Sequence, residues 1–346
     1  MNGKRDEHLI ERDRPSDSPY SYKAIVKLVE LLEKFKLFRF TIKIPHNIIR
    51  FLTLFAASFM THIGPWKRNV SKTVDIIFRK KMQKKYGEKK TKQLKKAISF
   101  INARFLARTF IEDLFYLAPL VSYKELYNKV LSWHPENKGG LQRIKDALKE
   151  GKGVVLLGCH QGAFLMMTMS LGVYRRGGEF DPIASLAIEK GSMNAYIKYM
   201  KKVINIIELE QGDNVDRKTL IYNVVKRKGV LMEAIDRGHK NYPKLPLFGY
   251  PAQTPIGPAY LNVKYGTPIL PAYNIPHPKE SNWKIYIGEP LNLIKYNPSS
   301  TNMTEKEVVE ENSKLINKAL EKIIRSSYLT WMYLMLFHKL KDIKVK

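Results

Sequence analysis

Residues 151–162, GKGVVLLGCHQG, decide the fold of this 346-residue chain. The apolar run from Val154 to Leu157 lies between glycines and begins with two β-branched residues, which is typical of a strand buried in a sheet. The preceding residues 141–150, LQRIKDALKE, have helical spacing, and Gly151 is expected to end that helix. The stretch therefore predicts a helix, a glycine stop and a buried strand, in that order.

The same order of elements recurs along the second half of the chain. Further strands are predicted over residues 230–235, 268–273 and 283–288, and further helices over 162–174, 216–228, 255–265 and 304–327. Thr254 is expected to cap the helix that starts at Pro255. This alternation predicts an α/β fold with a mixed, mostly parallel sheet flanked by helices.

The composition is strongly basic. Sixty Lys and Arg against 32 Asp and Glu give a formal charge of +28, which indicates an anionic partner, either nucleic acid or an anionic lipid surface. A hydrophobic content of 44% excludes wholesale disorder. The single cysteine, Cys159, excludes an intrachain disulfide and a cysteine zinc cluster, and the eight histidines lack ligand-like spacing, so no metal site is predicted.

The front of the chain is expected to be helical. Residues 1–20 are predicted to be a mobile tail, 21–138 a helical, basic, membrane-associating region, and 139–346 the α/β domain. Residues 51–66, FLTLFAASFMTHIGPW, are nearly uncharged, but a helix of this length falls short of the ~30 Å hydrocarbon core of a bilayer. They predict either a buried core helix or a helix embedded in one leaflet.

A basic run follows at residues 79–96, with ten Lys or Arg and one Glu, and it is expected to open a long helix. The run is either a solvated helical face or a surface that binds lipid head groups or a phosphodiester backbone. Nucleic-acid binding usually adds aromatic stacking residues, and Tyr86 alone interrupts this run. A lipid surface is therefore favoured, and no nucleic-acid partner is expected.

The first candidate site is Gly158-Cys159-His160-Gln161-Gly162, at the end of the strand that starts at Val154. Sites in α/β sheets form where strands end. His160 could take a proton from a hydroxyl there, while backbone N–H groups around Gly162 face the developing negative charge. The alternative is a hydrogen-bonded core histidine. Cys159 would point to the opposite face and is expected to be a small buried residue.

A second polar cluster follows the strand at residues 230–235. It contains Glu233, Asp236, Arg237, His239 and Lys240. These residues form either a salt-bridged surface loop or, if the two strands are neighbours, one site together with His160. The helix N-terminus expected at Thr254 would favour a phosphate or an oxyanion nearby.

Three blocks then make the chain recognisable: GKGVVLLGCHQGAF, KGVLMEAIDRG and LPLFGYPAQTPIGPAYLNVKYGTPILPAY. In this order and spacing the chain resembles the lipid A biosynthesis acyltransferase family, the lauroyl and myristoyl transferases of the lysophospholipid acyltransferase superfamily. The resemblance spans about Ile44 to His338 and includes a late aromatic segment, Tyr328 to His338.

The resemblance implies transfer of a fatty acyl chain from an acyl carrier protein or coenzyme A thioester to a hydroxyl of a membrane glycolipid or related lipid. No cofactor beyond this thioester co-substrate is implied. The expected location is the cytoplasmic face of the inner or plasma membrane, where the protein would be peripheral or monotopic and would contact anionic lipid.

Members of the family carry an H-x-x-x-x-D/E motif, in which the histidine is the general base and the acid orients it. His160 matches the base, but Leu165 stands where the acid belongs. Either another carboxylate substitutes, or the enzyme needs no such partner, or activity is lost. Glu233 and Asp236 are the first candidates for a substitute, and Asp236 matches a family position associated with the site. The side chains expected to hold the substrate are Lys190, Arg237, Lys240 and Thr254. The alternative is a catalytically degenerate lipid-binding or scaffold protein of the same fold.

Overall fold

The computed structural model of the chain describes residues 45–62, 66–78, 81–109, 138–162, 164, 167–168, 171, 184–189, 205–209, 221–236, 242–276, 283–299 and 302–335. Its helices are α1 (His46–His62), α2 (Trp66–Phe78), α3 (Lys81–Arg108), α4 (Lys138–Lys149), α5 (Gly257–Tyr265) and α6 (Glu305–Ser326). Its strands are β1 (Val154–Gly158), β2 (Ala184–Glu189), β3 (Asn205–Leu209), β4 (Val230–Ala234), β5 (Lys244–Leu247), β6 (Tyr250–Gln253), β7 (Ile269–Pro276) and β8 (Trp283–Ile287). The predicted tail at residues 1–20 lies outside the described residues.

Six of these strands form one sheet in the order β3-β2-β4-β1-β7-β8. Neighbours from β3 to β7 are parallel, and β8 runs antiparallel to β7. Strands β5 and β6 pair as a separate antiparallel hairpin. The predicted fold class is confirmed: the sheet is mixed, mostly parallel and flanked by helices, and α1 to α3 precede it.

Strand β1 lies at the centre of the sheet, and all five of its residues are buried. Because successive side chains point to opposite faces, both faces of the sheet are covered at this strand. Close packing requires a glycine directly before this strand, at position 153. Gly153 has a φ of +67°, and a Cβ there would lie 2.1 Å from the Val224 carbonyl oxygen. The apolar run therefore forms the buried strand that its sequence predicts.

The sequence predicts correctly where helix α5 ends and where helix α6 begins. Helix α6 starts at a capping box, in which the side chains of Thr304 and Glu307 each accept a hydrogen bond from the other residue's backbone N–H. Helix α5 ends at Gly266, whose φ of 67° is left-handed. Both predictions are confirmed because a capping box and a glycine stop act through neighbouring residues and do not depend on a distant part of the chain.

The predicted start of α5 at Pro255, with Thr254 as its cap, is wrong. The helix begins at Gly257 after Ile256. The Thr254 side chain is buried and hydrogen-bonded elsewhere: its hydroxyl donates to the Ala252 carbonyl at 2.9 Å and accepts from Asn317 Nδ2 at 2.9 Å. The hydroxyl that would cap the helix is therefore already hydrogen-bonded to residues of β6 and α6.

Helix α1 has apolar side chains on two opposite sides. Its inner face, with Ile49, Thr53 and Ala57 one turn apart, is buried. The opposite side exposes Ile48, Phe51, Leu52, Phe55 and Phe59, and we call these five residues the outer face of α1. Phe51 and Phe55 are 66% and 64% exposed. The helix is thus a core helix on one side and an open apolar surface on the other.

No single helix among the described residues is long and apolar enough to cross a bilayer. Helices α1 and α2 lie at 82° to each other, and the two together have the length and composition of a membrane span.

The basic run at 79–96 falls mainly in α3, which is a long helix broken at Gly87 (φ 73°, ψ 169°). Lys95 in this run contacts Asp75. Its exposed lysines are Lys81, Lys84, Lys85, Lys89, Lys90, Lys92 and Lys96.

Residues 327–335, which we call the closing segment, follow α6 and return to the carboxyl end of β1. They form two short 3-10 turns, Tyr328–Thr330 and Met332–Met335, on either side of the buried Trp331. Asn102 of α3 donates to the carbonyls of Leu329 at 2.9 Å and Trp331 at 3.0 Å. The front helices and the sheet therefore share one core around this segment, and the predicted boundary at 138/139 stays a prediction.

Candidate active site

The register of β1 and β4 brings the two predicted polar clusters together. The last paired residues are Gly158 and Ala234, and His160 and Asp236 each lie two positions farther along the chain. Because the strands are parallel and adjacent, the two side chains reach the same edge of the sheet. The strands are neighbours, as the single-site interpretation requires.

Asp236 and His160 form a close hydrogen-bonded pair. His160 Nδ1 lies 2.7 Å from Asp236 Oδ1, and Asp236 Oδ2 accepts the backbone N–H of His160 at 3.0 Å. The Asp236 side chain is fully buried, whereas that of His160 is 30% exposed. The carboxylate therefore lies beneath the imidazole, and the ring reaches the surface of the protein.

This arrangement fixes the roles of the two ring nitrogens. A carboxylate can only accept, so Nδ1 carries the proton that is donated to Asp236. The other nitrogen, Nε2, then has a lone pair that can accept a proton from a hydroxyl. The pair has the geometry that a general base and its orienting acid require. Leu165, at the position of the family's acid, lies outside the described residues.

Glu233, the other predicted substitute, occupies a different position. It pairs in register with Leu157, and its side chain points away from the face of Ala234. Its carboxylate lies beside the start of α5, where a Cβ on Gly257 would be 3.6 Å from Oε1. Oε2 is buried without a hydrogen-bond partner in the described part of the chain, and burial raises the pKa of Glu233 to about 7.

The Gly162 N–H faces the closing segment, and the prediction that backbone N–H groups around Gly162 stabilise an oxyanion stays a prediction. This N–H donates to the Thr330 carbonyl at 2.9 Å, so the closing segment already occupies it. Gly162 has a φ of +58°, and glycine suits this left-handed turn. The positive φ therefore favours glycine at this position, and its backbone N–H makes the contact with Thr330.

Of the remaining predicted site residues, two are buried and three lie outside the described residues. Thr254 is 2% exposed and both donates and accepts within the protein, and its role in holding substrate stays a prediction. Cys159 is buried with Sγ 3.2 Å from Gln161 Oε1, as its small-residue interpretation predicts, and burial raises the pKa of its thiol well above the ordinary value. Lys190, Arg237 and Lys240 lie outside the described residues and stay predictions.

The structure adds Trp331 to this site, which the sequence interpretation does not assign. Its indole Nε1–H donates to Asp236 Oδ2 at 2.7 Å. Tyr333 packs edge-on against the His160 ring, with centroids 5.1 Å apart, and Phe164 lies 5.5 Å from that ring. The late aromatic segment from Tyr328 is the sequence signal that could have indicated these contacts. Across the described ranges, no group of three or more His, Cys, Asp or Glu could hold a metal ion.

Fold and site together define a class of α/β proteins with a histidine–carboxylate pair at the carboxyl edge of a mostly parallel sheet. Comparison with known proteins identifies the family within this class. Residues 37–341 match the family described as bacterial lipid A biosynthesis acyltransferase. Because the match covers most of the chain, the protein belongs to this family.

Two curated relatives are similar over a shorter part of the chain. Both are named phosphatidylinositol mannoside acyltransferase and come from the Mycobacterium tuberculosis strains CDC 1551 / Oshkosh and ATCC 25618 / H37Rv. Each is 27% identical over 136 residues, which is 39% of this chain and 42% of the relative. The matched part thus spans less than half the length of either relative.

Proposed function

We propose that the protein is a membrane-associated O-acyltransferase. It moves a fatty acyl chain from an acyl carrier protein or coenzyme A thioester to a hydroxyl of a glycolipid or related lipid. Membership of the lipid A acyltransferase family supports acyl transfer, and the phosphatidylinositol mannoside acyltransferases support a glycolipid acceptor. The observation that carries the proposal is the 2.7 Å contact between His160 Nδ1 and Asp236 Oδ1.

In the proposed reaction His160 is the general base. Its Nε2 takes the proton of the acceptor hydroxyl as the oxygen attacks the thioester carbonyl carbon. The tetrahedral intermediate then collapses, the carbon–sulfur bond breaks, and the imidazolium returns the proton to the leaving thiolate. Asp236 holds the ring in the required tautomer and stabilises its charged form, and no covalent acyl-enzyme forms.

The proposal also places the protein at the cytoplasmic face of the inner or plasma membrane, as a peripheral or monotopic protein. The outer face of α1 supports insertion into one leaflet, because five apolar side chains including Phe51 and Phe55 face outward without a charge among them. The exposed lysines of α3 support attraction to anionic head groups.

Replacing His160 tests the reaction. We expect His160→Ala to lower acyl transfer by several orders of magnitude, because no base would remain to activate the hydroxyl. The measurement is formation of labelled lipid from radiolabelled palmitoyl-CoA in mixed micelles that contain phosphatidylinositol mannoside. Sedimentation with anionic vesicles is expected to stay at the wild-type level, which controls for misfolding. Equal product formation by His160→Ala and the wild type would contradict the proposal and favour the lipid-binding scaffold.

A further inference from the structure

The closing segment contacts three successive residues, His160, Gln161 and Gly162. The Met332 N–H donates to the His160 carbonyl at 2.7 Å, and the Gly162 N–H donates to the Thr330 carbonyl at 2.9 Å. Between them, Gln161 forms an antiparallel bridge with Trp331. The backbone on which the imidazole sits is therefore held from outside the sheet by a segment about 170 residues farther along the chain.

The same segment reaches the carboxylate beneath the imidazole. Asp236 Oδ1 contacts His160 Nδ1, and Oδ2 accepts both the His160 backbone N–H and the Trp331 indole N–H. A carboxylate can rotate about its terminal bond, and a donor on Oδ2 opposes that rotation. The indole N–H is a suitable donor because its ring is fully buried, with 0% exposure, and packs against Phe248 and Tyr333.

We propose that Trp331 is a positioning residue of the catalytic pair, which holds Asp236 so that its other oxygen faces His160 Nδ1. This inference rests on the proposed function and extends it to the aromatic closing segment. Because Trp331 has no exposed surface, it would act through Asp236 and not by touching substrate. Its loss should therefore lower kcat and leave the KM for the thioester unchanged.

The test removes the indole N–H with two different replacements of Trp331. Trp331→Phe removes the donor and part of the ring, and replacement of Trp331 by 3-benzothienylalanine keeps the bicyclic shape with sulfur in place of the N–H. We expect each to lower kcat about tenfold or more, the effect usual for groups that orient a reacting side chain. The second variant keeps the test valid if Trp331→Phe folds poorly.

The chain offers a matched control in Trp66. This residue is also buried, and its indole N–H donates to the Ser99 carbonyl at 3.2 Å within the front helices. Trp66→Phe removes the same chemical group from a buried position that has no contact with Asp236. We expect its kcat to stay within about twofold of the wild type, with a similar loss of thermal stability to that of Trp331→Phe.

A double-variant cycle separates positioning from general structure. In an Asp236→Ala background there is no carboxylate to orient, so adding Trp331→Phe should lower kcat no further. A purely structural role would give the same tenfold loss in both backgrounds. Rates are measured with radiolabelled palmitoyl-CoA, and labelled lipid and free fatty acid both count as product, because His160 can activate a hydroxyl or a water.

The outcomes distinguish this inference from the function on which it rests. If the wild type forms no product that depends on His160, both the proposed function and the inference fail. If the wild type is active and both Trp331 replacements match Trp66→Phe in kcat, the inference alone is overturned. An equal loss in the two backgrounds also overturns it.

Discussion

Both carboxylate oxygens of Asp236 have hydrogen-bonding partners, and these fix the orientation of the carboxylate. For the proposed mechanism this orientation is more important than which strand Asp236 follows. One oxygen contacts His160 Nδ1, and the other accepts two N–H groups. In the proposed mechanism it performs the task of the acid in the family's H-x-x-x-x-D/E motif, although it comes from β4. The aliphatic side chain of Leu165 cannot provide a carboxylate, and in the proposed mechanism Asp236 orients the imidazole instead.

Glu233 should make folding stability depend on pH. Its ordinary pKa is 4.5, and burial raises it to about 7 in the folded chain. Between these values the unfolded chain releases the proton while the folded chain keeps it. Stability therefore falls as pH rises through this window, by on the order of 3 kcal/mol.

The matching measurement is the urea midpoint of unfolding at pH 5 and pH 8. We expect wild type to lose stability at pH 8, whereas Glu233→Gln, in which this side chain cannot ionise, should show a smaller difference between the two midpoints. Glu150→Gln is the control, because Glu150 is exposed and pairs with Lys152 at the surface. Equal pH dependence in wild type and Glu233→Gln would exclude a buried, protonated Glu233.

At the scale of elements, the proposed membrane association depends on two helices, α1 and α3, which would contribute in different ways. The outer face of α1 offers apolar area, and each phenylalanine buried in lipid contributes about 1.5–3 kcal/mol. The exposed lysines of α3 add about 1 kcal/mol each near an anionic surface. Both contributions should be measurable, and salt should weaken only the second.

Vesicle sedimentation separates them. We expect Phe51→Ser with Phe55→Ser to weaken binding at every salt concentration, because it removes apolar area. A second variant neutralises Lys84, Lys85, Lys89 and Lys90 to Gln and should weaken binding mainly at low salt. The control neutralises three exposed lysines of α6: Lys306, Lys318 and Lys322. If this control loses as much binding as the α3 variant, general charge and not α3 provides the attraction.

The elements that the sequence predicts correctly are those with local signals. The run from Val154 to Leu157 forms β1, and the strand that ends before Asp236 forms β4. The cap at Thr254 fails because contacts with Ala252 and Asn317 outweigh its local preference. The aromatic segment from Tyr328 does not show which of its side chains reaches the site, because the contact between Trp331 and Asp236 joins residues 95 positions apart. Such contacts depend on the tertiary arrangement.

At the scale of the whole molecule, the proposed site depends on three distant parts of the chain. Strand β1 supplies His160, β4 supplies Asp236, and the closing segment supplies Trp331. Asn102 of α3 donates to two carbonyls of the closing segment, and Phe78 of α2 packs edge-on against Tyr328, so the front helices contact the segment that reaches the site. The proposed membrane-binding elements and the proposed catalytic pair thus belong to one packed core.

The most direct test is acyl transfer by Asp236→Asn, compared with Glu233→Gln, which changes the carboxyl three residues earlier in the chain. Palmitoyl-CoA with phosphatidylinositol mannoside micelles is the assay. The account predicts a loss of kcat on the order of 10³- to 10⁴-fold for Asp236→Asn, because the imidazole loses its tautomer and charge partner. Glu233→Gln should stay within about tenfold of wild type. Full activity of Asp236→Asn, or a larger loss in Glu233→Gln, would contradict the assignment of Asp236 as the acid that replaces the one missing at Leu165.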